Sequence, residues 1–182
     1  MRGIQISELK YGLKYFWLNK IVNHVPCWKF RKKMYQLAGM KIGSSHILMN
    51  VIVDGWRGIE VGDGVCINEF CYIDGRGGLK IGDDVSVSTY CKIVSGEHDL
   101  NGSNFEFSVK PVVIQPRVWL GIGCIVLPGA RLGEGCVIAA GAVAVGKEYN
   151  SFTVYGGVPA IRIAVRKNNL DYQLDGWTPY FR

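Results

Sequence analysis

Few residues of this chain pair a reactive side chain with a setting in which it could work. There are three histidines (His24, His46 and His98) and six cysteines. The cysteines form no C-x-x-C pair, so neither a zinc ribbon nor a thioredoxin-type redox centre is expected. The histidines lack the clustered spacing of a shared zinc site, and no metal is expected. His24 lies in a basic N-terminal stretch and His46 in an early, irregular segment. His98 stands in Ser95-Gly96-Glu97-His98-Asp99, where a regular pattern gives way to a polar insert. A histidine titrates near neutrality, so it can take the proton of a hydroxyl or amine as that group attacks a carbonyl. His98 is therefore a general-base candidate, with a plain surface role as the alternative.

The pattern that His98 interrupts is a repeat of six. Val61, Ile67 and Ile73 form one run. Ile81, Val87 and Ile93 form a second, displaced by two residues after Arg76-Gly77-Gly78. Ile114, Leu120, Val126, Leu132 and Ile138 form a third. Four places after each aliphatic stands a small or β-branched residue: Val65, Cys71, Gly77, Val85, Cys91, Val118, Cys124, Ala130, Cys136 and Ala142. Glu97 is the exception, at the edge of the insert. A period of six fits neither the 3.6 of a helix nor a hairpin array. It fits a coil of three short strands, about 18 residues per turn, each pointing one aliphatic into a narrow triangular core. Small residues then occupy the bends and glycines the corners that need positive φ. Twenty of the 24 glycines fall between Gly43 and Gly157, the span of the pattern. Stacked coils would pair their strands in parallel and bury one continuous core. Cys71, Cys91, Cys124 and Cys136 are then buried small hydrophobes rather than nucleophiles. Cys27 and Cys66 stay undecided.

Around the coil lie three irregular pieces. Residues 1–40 carry eight lysines or arginines and one acid, so the net charge of +6 is an N-terminal property and the body is near neutral. A uniform nucleic-acid-binding surface is not expected. Leu13, Phe16, Trp17, Ile21 and Val22 sit at roughly helical spacing, and Pro26 divides the stretch into two short helices. These predict a cap over the open end of the solenoid, with contact to an anionic membrane as an addition. The insert 99–111 is polar but carries Phe105 and Phe107. A loop leaving a rigid solenoid is a common place for function. The chain thus divides into a basic helical cap (1–40), a β-helix with a protruding loop at 99–111 (41–165) and a tail (166–182). No apolar run reaches the length of a transmembrane helix, and no signal-peptide pattern opens the chain. A cytoplasmic protein is expected, at the inner face of the membrane where the cap touches it.

The hexads resemble those of the hexapeptide-repeat transferases, which are left-handed parallel β-helices. Residues 80–160 are similar to bacterial O-acetyltransferases of the galactoside, maltose, nodulation-factor and capsular-polysaccharide type. The resemblance rests on the histidine before a protruding loop, then Val118-Trp119-Leu120-Gly121, Val126-Leu127-Pro128-Gly129-Ala130-Arg131-Leu132-Gly133, Ile138-Ala139-Ala140-Gly141-Ala142-Val143 and Gly156-Gly157-Val158-Pro159-Ala160. It implies acetyl-CoA as donor, His98 as general base, and direct attack by a sugar or polysaccharide-precursor hydroxyl without an acyl-enzyme. It also implies a homotrimer with active sites between subunits. Asn68, in Ile67-Asn68-Glu69-Phe70, matches an acceptor-binding asparagine, and Phe105 on the loop joins it. Gly121, Ile122, Ala140 and Ala142 match backbone positions along the pantetheine arm, where a nearby amide could stabilise an oxyanion. Trp119 is expected to pack under the loop, with the cofactor wall as the alternative.

The chain departs from that pattern in places. The usual Thr-Lys-Asp is replaced by Val145-Gly146-Lys147-Glu148 with one extra residue. The basic residue after Pro-Ala is displaced to Arg162, and Ala142 replaces a serine. Lys147, Arg162 and Arg166 are the candidates for the nucleotide phosphates. An N-acetyltransferase for an amino sugar or an antibiotic is the main alternative. A β-helix carbonic anhydrase and a non-enzymatic structural subunit are the others.

Overall fold

In the computed structural model, which describes residues 5–174, the hexads wind into about six coils of three strands. The strands stack into three parallel faces. The first holds Lys41–Ile42, Ile59–Val61, Leu79–Ile81, Val112–Ile114, Arg131–Leu132 and Glu148–Tyr149. The second holds His46–Ile47, Cys66–Ile67, Ser86–Val87, Trp119–Leu120, Val137–Ile138 and Thr153–Gly156. The third holds Ile52–Asp54, Tyr72–Asp74, Lys92–Ile93, Ile125–Val126 and Val143–Ala144. All eleven predicted inward aliphatics are buried, as are Cys71, Cys91, Cys124 and Cys136. Burial pushes the Cys136 thiol up to about 12.

The shift of two residues between the first two aliphatic runs has a structural cause. Val61 pairs with Ile81, twenty residues on, whereas Ile114 pairs with Leu132, eighteen on. The extra pair sits at the corner between the third and first faces, in the turns around Gly55 and Gly75. The corner between the second and third faces departs from the glycine expectation. Asn50, Phe70 and Tyr90 adopt φ of 61°, 62° and 63° there, and only the later coils use Gly123 and Gly141. A left-handed aromatic is unfavourable alone; the Tyr90 amide is held by the Glu69 carbonyl of the preceding coil at 3.3 Å. Phe70 and Tyr90 stack outward on each other at 5.2 Å.

The N-terminus folds into α1 (Ile6–Phe16), a π turn and a 3₁₀ turn to His24, and α2 (Trp28–Ala38). The division at Pro26 is as expected, but the face that packs is not. Leu13, Phe16, Trp17 and Ile21 are exposed. Of the expected face only Val22 is buried, and it closes the end of the core together with Leu18 and with Trp28, Tyr35 and Ala38 of α2. Polar groups finish the open strand edge, which would otherwise present unpaired amides and carbonyls. Asn19 Nδ2 donates to the Val53 carbonyl and its Oδ1 accepts from the Val53 amide, both at 2.8 Å, as a further coil would. The fully buried Arg31 donates to the carbonyls of Val25 (2.5 Å) and Ile47 (2.9 Å). Arg31→Met is expected to lower unfolding free energy by about 2–3 kcal/mol, because a buried and a part-buried carbonyl lose a charged donor. Urea denaturation checks this.

At the far end Thr153–Gly156 pairs antiparallel with Ile161–Val165, which stops the coil. The described part of the tail packs back on the corner between first and second faces. Arg166 donates to the carbonyls of Arg117 (2.9 Å) and Gly135 (3.2 Å), and the Leu174 amide donates to Asp84 (2.9 Å). Residues 175–182 of the expected tail lie outside the described residues.

Candidate active site

The insert leaves the corner between the third and first faces as an antiparallel hairpin, Gly96–His98 against Phe107–Val109. Its base is tied by the Lys110–Glu97 ion pair at 2.6 Å and by the Lys110 amide donating to the Ser95 carbonyl at 2.8 Å. The tip turns on Asp99, whose Oδ1 accepts from the Asn101 amide at 2.9 Å.

His98 ends the outgoing strand. Its Nδ1 lies 2.9 Å from the Phe105 carbonyl oxygen. That oxygen can only accept, so Nδ1 carries the proton. In the neutral ring Nε2 is then the free lone pair. The ring is held on two sides. Phe105 stacks on it at 4.2 Å and 7°, and Phe107 meets it edge-on at 5.4 Å. Phe105 thus stands beside the imidazole, on an exposed loop, where the sequence reading placed an acceptor contact.

Beneath the hairpin is a polar anchor that the sequence reading missed. Asp74 is fully buried. It receives Arg76 Nε at 2.9 Å, Arg76 Nη2 at 3.0 Å, the Arg76 amide at 2.8 Å and the Ser95 amide at 3.1 Å. Burial pushes the Asp74 carboxyl up, but the Arg76 guanidinium and the two amides outweigh it and hold the group below its ordinary range. The guanidinium in turn lies 5.0 Å from the Phe107 ring centre. Asp74, Arg76, Phe107 and His98 therefore form one continuous support. An Asp two residues before an Arg at a coil corner was the available signal, hidden because its partners lie a coil away.

The other candidates fall elsewhere. Trp119 sits on the outer side of the second face, 48% exposed, with Nε1 donating to Ser88 Oγ at 3.2 Å. It does not pack under the loop, which leaves from the opposite corner of the prism; the alternating strand pattern turns it outward. Asn68, at the corner between second and third faces, donates through Nδ2 to the Val87 carbonyl at 2.8 Å. Gly121 and Ala142 are buried; the Gly121 amide and the Ala142 carbonyl bond to neighbouring coils, and the Gly121 carbonyl and the Ala142 amide bond within their own turns, to the Cys124 amide and the Ala139 carbonyl. A Cβ on Gly121 would come within 2.6 Å of the Ala140 amide, so coil spacing alone demands that glycine. Those two backbones are not free to hold a pantetheine arm. Ile122 and Ala140, at the same corner, are exposed. Among the described residues the Ile122 amide and both backbone groups of Ala140 have no partner within the chain.

Of the cations, Arg166 is committed to the tail. Arg162 is exposed on the last strand. Lys147 turns over the Tyr149 ring at 5.2 Å, at the corner between third and first faces. Within one chain, then, His98 and Phe105 share one corner, whereas Asn68, Ile122 and Ala140 share another. About 20 Å of extended chain, the width of the third face, lies between them. The three histidines are dispersed, and among the described residues no group of His, Cys, Asp and Glu could hold a metal.

Comparison with known proteins agrees with this fold. Residues 111–144 match the family model for the bacterial transferase hexapeptide (six repeats). No curated protein matches the chain by sequence. Among solved structures, a hexapeptide-repeat-containing acetyltransferase from Vibrio cholerae O1 biovar eltor, complexed with acetyl coenzyme A, aligns with a TM-score of 0.80 at 21% identity. The alignment covers 92% of this chain and 93% of that one. A maltose O-acetyltransferase from Clostridium difficile 630 aligns with a TM-score of 0.75 at 23% identity, over 90% of each chain. A variant of AntD, an N-acyltransferase from Bacillus cereus bound to dTDP-4-amino-4,6-dideoxyglucose and coenzyme A, aligns with a TM-score of 0.61 at 19% identity, over 75% of this chain and 90% of that one. With its three parallel faces and its inward hexads, the chain has the left-handed parallel β-helix fold of the hexapeptide-repeat acetyltransferases.

Proposed function

We propose that the protein is an acetyl-CoA-dependent O-acetyltransferase acting on a sugar or polysaccharide-precursor hydroxyl, with His98 as general base. The observation that carries this reading is the Nδ1 contact to the Phe105 carbonyl, which leaves Nε2 of a clamped, exposed imidazole free to accept a proton. The acceptor oxygen attacks the thioester carbonyl as its proton passes to Nε2. The tetrahedral intermediate collapses, the carbon–sulfur bond breaks, and the imidazolium returns the proton to the departing thiolate. The buried, coil-corner cysteines take no part. The acetyl-CoA complex of the Vibrio cholerae relative and the carbohydrate acceptor named for the Clostridium difficile relative support donor and acceptor class.

The donor fits the corner between second and third faces, where Ile122 and Ala140 offer exposed backbone groups beside Gly141, at which a Cβ would meet nothing within 4 Å. Lys147 and Arg162 remain the candidates for its phosphates. Since one chain holds His98 and this corner a face apart, a second copy completes the site. The outward Phe70–Tyr90 stack in the same column supplies apolar surface for that contact, and a homotrimer closes the ring. Titration with acetyl-CoA, followed by thiol release over a panel of sugars and amines, tests the reading. Absence of binding at millimolar donor overturns it. Faster thiol release with amines than with sugars assigns the N-acetyl branch instead.

The cap fits peripheral attachment to an anionic membrane. Ile6, Leu9, Leu13 and Phe16 are exposed on α1 and Trp17 on the π turn that follows, with Lys10 and Lys20 exposed beside them. A protein partner would have to match those lysines with acids; anionic headgroups do so while the stems lie along the acyl boundary. No helix among the described residues is long and apolar enough to cross a membrane. The protein is expected to float with phosphatidylglycerol vesicles and not with phosphatidylcholine alone. Leu13→Glu with Phe16→Glu should abolish flotation; retained flotation removes α1 from the contact.

A further inference from the structure

Between α1 and the glycine turns at the corner of third and first faces lies a cleft of about 820 Å³, within the size range of small-molecule sites. It belongs neither to the hairpin nor to the proposed donor corner. One wall is aromatic: Tyr11 of α1 stacks on the buried Trp56 at 4.8 Å and 17°. The rest is cationic, with Lys10, Lys14, Arg57 and Arg76 lining the space. Arg76 is committed to Asp74 and stands 3.6 Å from Asp54, and Tyr11 donates to Asp54. The two carboxylates nearby are thus already held. Among the described residues no carboxylate pairs with Lys10, Lys14 or Arg57. Lys14 instead reaches over the Trp56 ring at 5.8 Å. Three cations facing one cleft repel each other unless an anion joins them, and the exposed Tyr11 ring, backed by the buried Trp56, is a surface for a ring.

The cleft is joined to the hairpin. Arg76, one of its cations, lies against Phe107, and Phe107 meets the His98 ring. Cleft and imidazole are on the same corner of the same chain.

Resting on the acetyltransferase reading, we infer that this cleft is an acceptor subsite selecting a phosphorylated saccharide. Lys10, Lys14 and Arg57 hold the phosphate, and the sugar ring lies against the aromatic wall. A dianionic phosphomonoester matches the uncompensated charge better than a single carboxylate does.

Calorimetry on the full chain, without donor, tests this with aldose 1-phosphates (glucose, galactose and N-acetylglucosamine), the parent sugars, glucuronate and inorganic phosphate. At least one aldose 1-phosphate is expected to bind about tenfold or more tightly than its parent sugar, glucuronate or inorganic phosphate. Lys14→Ala with Arg57→Ala should weaken that binding by about 10–100-fold, since each lost charged contact is worth about a factor of ten. The same variant should bind acetyl-CoA as the parent does and keep its melting temperature, because both side chains reach the surface. Absence of binding by all three sugar phosphates, equal binding of inorganic phosphate, or binding untouched by the double variant would overturn the inference. Failure of acetyl-CoA binding alone would instead overturn the transferase reading and leave the cleft standing.

Discussion

His98→Ala is expected to lower kcat/KM for acetyl transfer by about 10²–10⁴-fold, the usual worth of a positioned base. The melting temperature and the oligomeric state should not move, since the ring is exposed and makes one backbone hydrogen bond. Affinity for acetyl-CoA, measured by calorimetry, should stay within a factor of two or so, because the proposed donor contacts are backbone groups and do not use the imidazole. His98→Gln separates base from spacer. It restores a donor toward the Phe105 carbonyl but offers no basic nitrogen, and its activity should stay as low as that of the alanine variant. Turnover near that of the parent in either variant would remove His98 from the mechanism.

Arg76→Met is the second large effect, and it reads on both stability and turnover. Removing the guanidinium leaves a fully buried Asp74 carboxylate held by the amides of residue 76 and Ser95 alone. Breaking a buried pair costs about 3–5 kcal/mol; Arg76 is 37% exposed, so solvent already screens its end, and about 2–3 kcal/mol is expected. Loss of the surface beneath Phe107 should also loosen the His98 clamp and lower kcat by about tenfold. Asp74→Asn supplies the pH test. The Asp74 carboxyl is held below its ordinary range, so the stability it contributes is present above about pH 4 and lost as pH falls through the lowered value. Urea denaturation should therefore show the parent more stable than Asp74→Asn at pH 7 and the difference shrinking toward pH 3. A pH-independent difference would show that the carboxylate charge contributes nothing and shape alone matters.

Much of the fold is readable in the chain because its rule is local. An aliphatic at every sixth place, with a small residue four places later, states which side chains point inward without knowledge of what they meet. The same rule marks where the coil is interrupted, so His98 and the loop could be located before any coordinate. The two-residue displacement between runs was visible too, though its meaning, a wider corner beside the aromatic cleft, was not.

What tertiary structure decided concerns pairs that stacking brings together from coils some twenty residues apart. The Asp74 carboxylate, the Ser95 amide and the Phe107 ring have no common sequence period, yet they form one support because the coil returns to the same corner each turn. The packing face of α1 was misread for a related reason. Helical spacing reveals that a face is apolar, but only the position of the coil end decides which face is covered. Trp119 is expected under the loop or on the cofactor wall, and the prism excludes the first because it separates neighbouring hexads onto different faces. The sequence by itself thus determined the solenoid and its point of interruption. The tertiary structure decided which corner each candidate group occupies, and so that one chain carries the proposed base and the proposed donor corner a full face apart.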